Sequence, residues 1–466
     1  MKPRTPGFWL IVATVGLLAL LPMKALAGMT PEEVKLFEET KAKAEKGDAA
    51  AQIELSICFR EGKGVSGDFV QAVAWCRRSA AQGNALAQNA LGVHYSMGLG
   101  VPQDMTEGTK WTRKAAEQGL AKAQVNLGMD LLLEQNPALA GKFFRGDDLS
   151  ASKGAALAVV WFRKAADQGD SRGQGMLGAC YLKGWGVTKD AAQGVSWLLK
   201  GAERGDPEAQ RNLGYCYANG EGVAKDEISA VKWTRKAAEQ GEINALCNLG
   251  KFYINGTGVP KDEAEAIKWF RMAADLGSPE GGYLVGNMLC NGEGVAQDMT
   301  EGAKWIRKSA DQGWAEAQYV LGIACNNNGT RVAKDLPQAF AWWRKAAEQG
   351  HATAQFNLGQ CYANGNGVAK DMVEAVKWWR NAAEQGFAGA QAYLGFCYAT
   401  GEGAAKDEVE AYAYWNLAGT TDEDATRNLA ILAKGMSPDA ISRGKLRTKE
   451  LQKEIDDKIA AKKSGK

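Results

Sequence analysis

The chain has 466 residues, of which 45% are apolar and 24% charged, and a formal charge of +2. A normal apolar fraction and 15 Trp exclude dominant disorder, and the small net charge argues against nucleic acid as a partner. With two His, His-based metal sites and His general-base catalysis are poor prospects. Gly is abundant (56 residues) and Pro scarce (11), a balance that suggests helices interrupted by recurrent turns.

Residues 1–27 have the form of a signal peptide. Lys2 and Arg4 make a basic start, Phe8 to Leu21 is an apolar run, and Ala25-Leu26-Ala27 is a small-residue cleavage site before Gly28. The run is short for a membrane span, which needs about 20 apolar residues; the alternative is an uncleaved anchor. The expected location is the bacterial periplasm or beyond the cell, with no transmembrane segment left after cleavage. Residues 28–46, from Thr30-Pro31-Glu32-Glu33 onwards, read as a capped leading helix.

Self-similarity dominates the rest. A string of the type W-x-R-K-A-A-E-Q-G recurs with its Trp at 75, 111, 161, 197, 233, 269, 305, 342 and 378, and Tyr414 in the tenth place. A second string, clearest at 209–226 and 354–371, precedes each Trp: A-Q-x-N-L-G-x-C-Y-A-N-G-x-G-V-x-K-D. Residues 47–421 divide into ten units: 47–82, 83–118, 119–168, 169–204, 205–240, 241–276, 277–312, 313–349, 350–385 and 386–421. The third is longer, with its extra residues between about Glu134 and Gly154, and the eighth carries one extra residue near Asn326.

Each unit reads as two helices. In the unit from 205, Asp206-Pro207 starts the first helix, since Asp caps free N–H groups and Pro suits the first turn. Ala209, Leu213 and Tyr217 form its apolar stripe, and Asn219-Gly220 ends it in residues that tolerate the left-handed conformation. Asp226 caps the second helix. In sister units the cap is expected to be a reciprocal capping box, as at Asp104 with Glu107 and Asp371 with Glu374. Ala230, Trp233 and Ala237 form the second stripe. A lone hairpin cannot bury both stripes, so neighbours must stack into an all-α solenoid. Each repeat Trp is expected to hide against the next unit, removing ~150–250 Å² from water, roughly 4–6 kcal/mol gross. Residues 422–466 read as C-terminal capping helices with a basic tail, Ser437-Pro438-Asp439 starting the last of them.

The 36-residue period, the A-x-x-x-L-G-x-x-Y half, the G-x-G-V loop and the D-x-x-x-A-x-x-W half resemble the Sel-one-like repeat family, relatives of tetratricopeptide repeats. The resemblance implies a right-handed α-solenoid of two-helix repeats. It also implies a non-enzymatic adaptor that binds peptide or protein partners on its concave face. In tetratricopeptide relatives the Asn of N-L-G faces the groove and bonds a peptide backbone, which nominates Asn126, Asn212, Asn248 and Asn357. One turn further on, the groove slot holds Tyr215, Lys251, Asn287, Gln360 and Phe396.

The sequence contains no complete catalytic set. Of nine Cys, five (58, 180, 216, 361 and 397) share one slot, about 10 Å apart in stacked units and beyond the ~7 Å bridging limit. They read as small buried residues. Gly62 to Gly67 matches G-x-G-x-x-G but follows a helix and belongs to the repeat loop, so nucleotide binding is rejected. Ser150-x-x-Lys153 and Ser229-x-x-Lys232 match one of three parts of β-lactam-handling enzymes, and the other two parts are absent from the chain. A β-lactam or wall-peptide hydrolase therefore stays as an alternative. A third alternative is glycan binding through Trp314, Trp343 and Trp379, which lie outside the regular Trp slot. No metal and no cofactor is expected.

Overall fold

The computed structural model describes residues 29–135, 152–326, 335–419 and 422–464, and every regular element among them is an α-helix. A leading helix, Pro31–Glu45, is followed by ten helix pairs, from Ala49–Glu61 with Phe69–Ala81 to Ala388–Thr400 with Glu408–Ala418. Two closing helices, Glu423–Gly435 and Pro438–Ser464, end the chain. The expected signal peptide, most of the third repeat's extra residues and the eighth repeat's long loop lie outside the described residues.

The chain forms two compact units, 1–260 and 261–466. The division runs through the sixth repeat, between its first helix (Ile243–Asn255) and its second (Glu263–Asp275). Within each unit the repeats share one skeleton, held by four recurring devices.

The first is the loop. Gly220 and Gly222 both adopt positive φ (70° and 72°), which only Gly takes without strain. A Cβ on Gly222 would collide with the backbone of Ala191, the first residue of the preceding repeat's second helix. The second loop Gly thus docks each hairpin on its predecessor; Gly64 does the same on Glu33. The G-x-G spacing serves this approach.

The second device is the cap. Asp226 accepts from the backbone of Ile228 and Ser229, and its equivalents repeat the bond down the chain. The reciprocal half of the expected capping boxes is absent at Asp104, Asp262, Asp298 and Asp371: the third-position Glu turns instead to a Lys one turn on. The pairs are Glu107–Lys110, Glu265–Lys268, Glu301–Lys304 and Glu374–Lys377, at 2.5–3.4 Å. On an exposed helix the ammonium competes with the backbone N–H for the carboxylate. The full box occurs at Thr30 and Glu33.

The third device corrects the expectation for the repeat Trp. Most are half-buried, and Trp75, Trp111, Trp161 and Trp197 each carry a Lys or Arg from the next turn over the ring, 4.0–4.3 Å from its centroid. The interior belongs to the following residue: Cys76, Thr112, Phe162, Leu198, Thr234, Phe270, Ile306, Trp343, Trp379 and Trp415. In most repeats that side chain faces a Gly of the first helix, as Phe162 faces Gly128 and Trp379 faces Gly359. At a 100° step per residue, neighbours on a helix point in different directions, and the tertiary contact selects between them.

The fourth is a glutamine ladder. A Gln on the first helix donates to a carbonyl near the end of the preceding second helix, as Gln210 does to Ala202 and Gln355 to Ala347. Its own carbonyl oxygen accepts from the Gln that ends the second helix of the same repeat: Gln82 to Gln52, Gln118 to Gln88, Gln240 to Gln210 and Gln385 to Gln355, at 2.6–2.8 Å. In the fourth repeat Arg204 takes the donor's place and bonds Gly169 instead, leaving Gln174 Oε1 buried without a donor.

In the second unit the last helix covers the final repeat. Leu451 and Ile455 are buried against the cluster around Trp379 and Tyr414. Arg447 binds Glu410 at 2.7 Å and Glu450 and Glu454 at 3.2–3.3 Å.

Candidate functional site

On the fifth repeat's first helix Ala209, Gln210, Leu213 and Gly214 turn inward, while Glu208, Arg211, Asn212 and Tyr215 form the uncovered face; in other repeats part of that face is closed, by Ile53, Val125, Met129, Met176 and Cys247. All nine residues singled out as binding candidates lie on this face, and none is fully buried. The first unit holds Asn126, Asn212, Tyr215, Asn248 and Lys251; the second holds Asn287, Asn357, Gln360 and Phe396. Tyr215 and Phe396 are 41% and 44% exposed. Asn126 donates to Asn89 of the neighbouring repeat at 3.0 Å, so part of its amide capacity is taken along the face. Gln360 accepts from Asn364 at 3.4 Å.

The first unit's face is charged. Arg211, beside Asn212, pairs with Glu242 at 3.3 Å with both side chains only 12% exposed. Lys183 lies 6.0 Å from the centre of the Tyr215 ring. Asp206 caps its helix through Ala209 N–H, and burial, helped by the Glu208 charge, pushes its carboxyl up to about 7.

The second unit's face is aromatic. The slot before the Asn position holds Tyr283, Tyr319 and Phe356, and the helix-start slot holds Trp314, His351 and Phe387. The Phe356 and Phe387 rings lie 4.9 Å apart, and Tyr319 stacks on His351 at 4.6 Å. Apart from Trp314, these rings carry no sequence motif, since they stand next to the N-L-G string and within the turn. Aligning the ten units column by column would have shown them.

The chemical alternatives lose their geometry. Trp343 and Trp379, expected as exposed glycan readers, are 5% and 1% exposed, and their indoles donate inward to Tyr319 and Phe356 carbonyls. Trp314 is half-buried. The Ser229 hydroxyl bonds to its own cap Asp226 at an exposed helix start, while Ser150 lies outside the described residues. All nine Cys are unbridged. Burial pushes the thiols of Cys76, Cys180 and Cys216 up to about 12, far from a reactive thiolate. Among the described residues no group of three or more His, Cys, Asp or Glu could hold a metal ion. No helix among them is long and apolar enough to cross a membrane.

The Sel1 repeat profile matches ten consecutive stretches from residues 49–84 to 388–420. A solved protective antigen with an SLR fold, c5321 of uropathogenic Escherichia coli strains, is 34% identical over 90% of this chain and 95% of its own, with a TM-score of 0.48. A Sel1 repeat protein from Oxalobacter formigenes is 29% identical over 81% of this chain and 97% of its own, with a TM-score of 0.45. The immunity protein Pa5087 from Pseudomonas aeruginosa is 25% identical over 47% and 83%, with a TM-score of 0.33. The comparison with curated proteins finds no match. Ten profile matches in tandem and a 34% identical relative spanned almost end to end place this chain in the Sel1 repeat family.

Proposed function

We propose that this protein is an exported, non-enzymatic scaffold that holds peptide segments or folded partners on the first-helix faces of its repeats. The observation that carries the reading is the division of labour on the first helix. Its inward side is closed by Gly, Leu and the Gln ladder, while its outward side varies from repeat to repeat and keeps amides and rings accessible. Amide side chains offer both a donor and an acceptor to a peptide backbone. Export rests on the basic, apolar and small-residue order of residues 1–27. The Escherichia coli relative is a protective antigen, a role that fits an exported chain.

The test is photo-cross-linking in intact cells. A cross-linker at Asn212 or Gln360 is expected to capture the same partner, while one at Lys110 or Lys377 on the second helices captures none. Capture only from the second helices sinks the reading. Recovery of a mature chain that begins at Gly28 tests export.

A further inference from the structure

The second unit's first helices starting at Pro279, Ala315, Ala352 and Ala388 contain no Lys or Arg, and their only charged residues are Glu280 and Glu316. The first unit places Lys122, Arg172, Lys183, Arg211 and Lys251 on the corresponding helices. Glu316 sits among rings. Tyr319 lies one turn along the same helix, Trp314 precedes it at the helix start, and Tyr283 comes from the preceding repeat; all three rings pack against one core cluster. Burial and the nearby Glu316 charge raise both phenols.

His351 preserves the charge of this carboxylate. Its Nδ1 accepts from Ala354 N–H at 3.1 Å, so that nitrogen carries no proton. Nε2 then holds the ring's proton and donates it to Glu316 at 2.9 Å. A neutral donor orients the carboxylate without cancelling it, and the Glu316 side chain stays 44% exposed. The Trp314 indole N–H is buried with no acceptor among the described residues.

We propose that Tyr283, Trp314, Tyr319 and Glu316 form a cage for the cationic side chain of a Lys- or Arg-bearing peptide segment. Ring faces attract a cation, and the carboxylate gives it a charge-assisted bond. The cage rests on reading the first-helix face as a binding surface and adds the partner's charge to it.

The test titrates the full chain with a short capped peptide of alternating Gly and Arg, followed by calorimetry and Trp fluorescence. Matched peptides replace Arg by neutral citrulline or by Glu. The Arg peptide is expected to bind, and the citrulline peptide to bind about tenfold more weakly or not at all. Glu316→Gln keeps the acceptor for His351 and is expected to lower Arg-peptide affinity about tenfold with an unchanged melting temperature; Tyr319→Leu should act in the same direction. Equal affinity for the Arg and citrulline peptides, or unchanged affinity in Glu316→Gln, overturns the cage. Cross-links at Asn212 without any Arg-peptide binding would sink the cage and leave the scaffold standing. Loss of first-helix cross-links throughout would sink both.

Discussion

The two units run the same skeleton with different surfaces. In the first, every first-helix start except Leu120 is polar, and Asp48, Asn84, Asp170, Asp206 and Glu242 each cap their own helix. In the second, the equivalent slots of the last three repeats hold Trp314, His351 and Phe387. Phe387 makes no side-chain cap bond and packs against Phe356 instead, the rings tilted by 37°. A lost cap costs about 1 kcal/mol, so the ring contacts offset a local rule. The interior slot after the repeat Trp varies in the first unit, from Cys76, Thr112 and Thr234 to Leu198 and Phe162, and becomes Trp343, Trp379 and Trp415 in the last three repeats. The lesson is that the loop Gly and the Gln ladder hold the repeat geometry, which leaves the interior slot and the outer face free to diverge.

The largest expected effect lies at the interior slot. Trp379→Ala is expected to cost about 3–5 kcal/mol in urea unfolding, because the cavity cannot close around Gly359. The same slot in the first unit, Thr234→Ala, is expected to cost about 1 kcal/mol. Equal costs would break the comparison. Next, removing a ladder donor should hurt both units alike. Gln240→Ala and Gln385→Ala each strand a buried carbonyl oxygen, at about 1–3 kcal/mol by the same measurement. A clear difference between them would show that the skeleton is not shared. Arg204→Gln should restore the missing rung to Gln174 and stabilise the first unit by about 1 kcal/mol.

A pH-dependent effect concerns Asp206, whose carboxyl is pushed by burial from an ordinary value of 3.8 up to about 7 in the folded state. A raised folded value means the fold favours the protonated form. Asp206 therefore contributes stability below about pH 4 and loses it as the pH rises to 7. The stability of the wild type relative to Asp206→Asn should fall across that window. A flat difference would mean that the carboxylate is solvated.

Much of this protein was legible in one dimension. The helix limits, the caps at Asp and the turns at Gly are local matters, set within four residues of chain and repeated from unit to unit, so periodicity alone displayed them. Most of the candidate groove slot was legible too, because Asn212, Asn248 and Asn357 stand in a motif. The Trp slot misled: Trp378 and Trp379 are adjacent and chemically identical, and only packing against Gly359 decides which is interior. The ladder joins residues 30 apart, and the Tyr283, Glu316 and His351 cluster joins residues about one repeat apart. Spacing along the chain fixes which residues recur. Which of them meet depends on how one hairpin lies on the next, and that is a property of the packed structure.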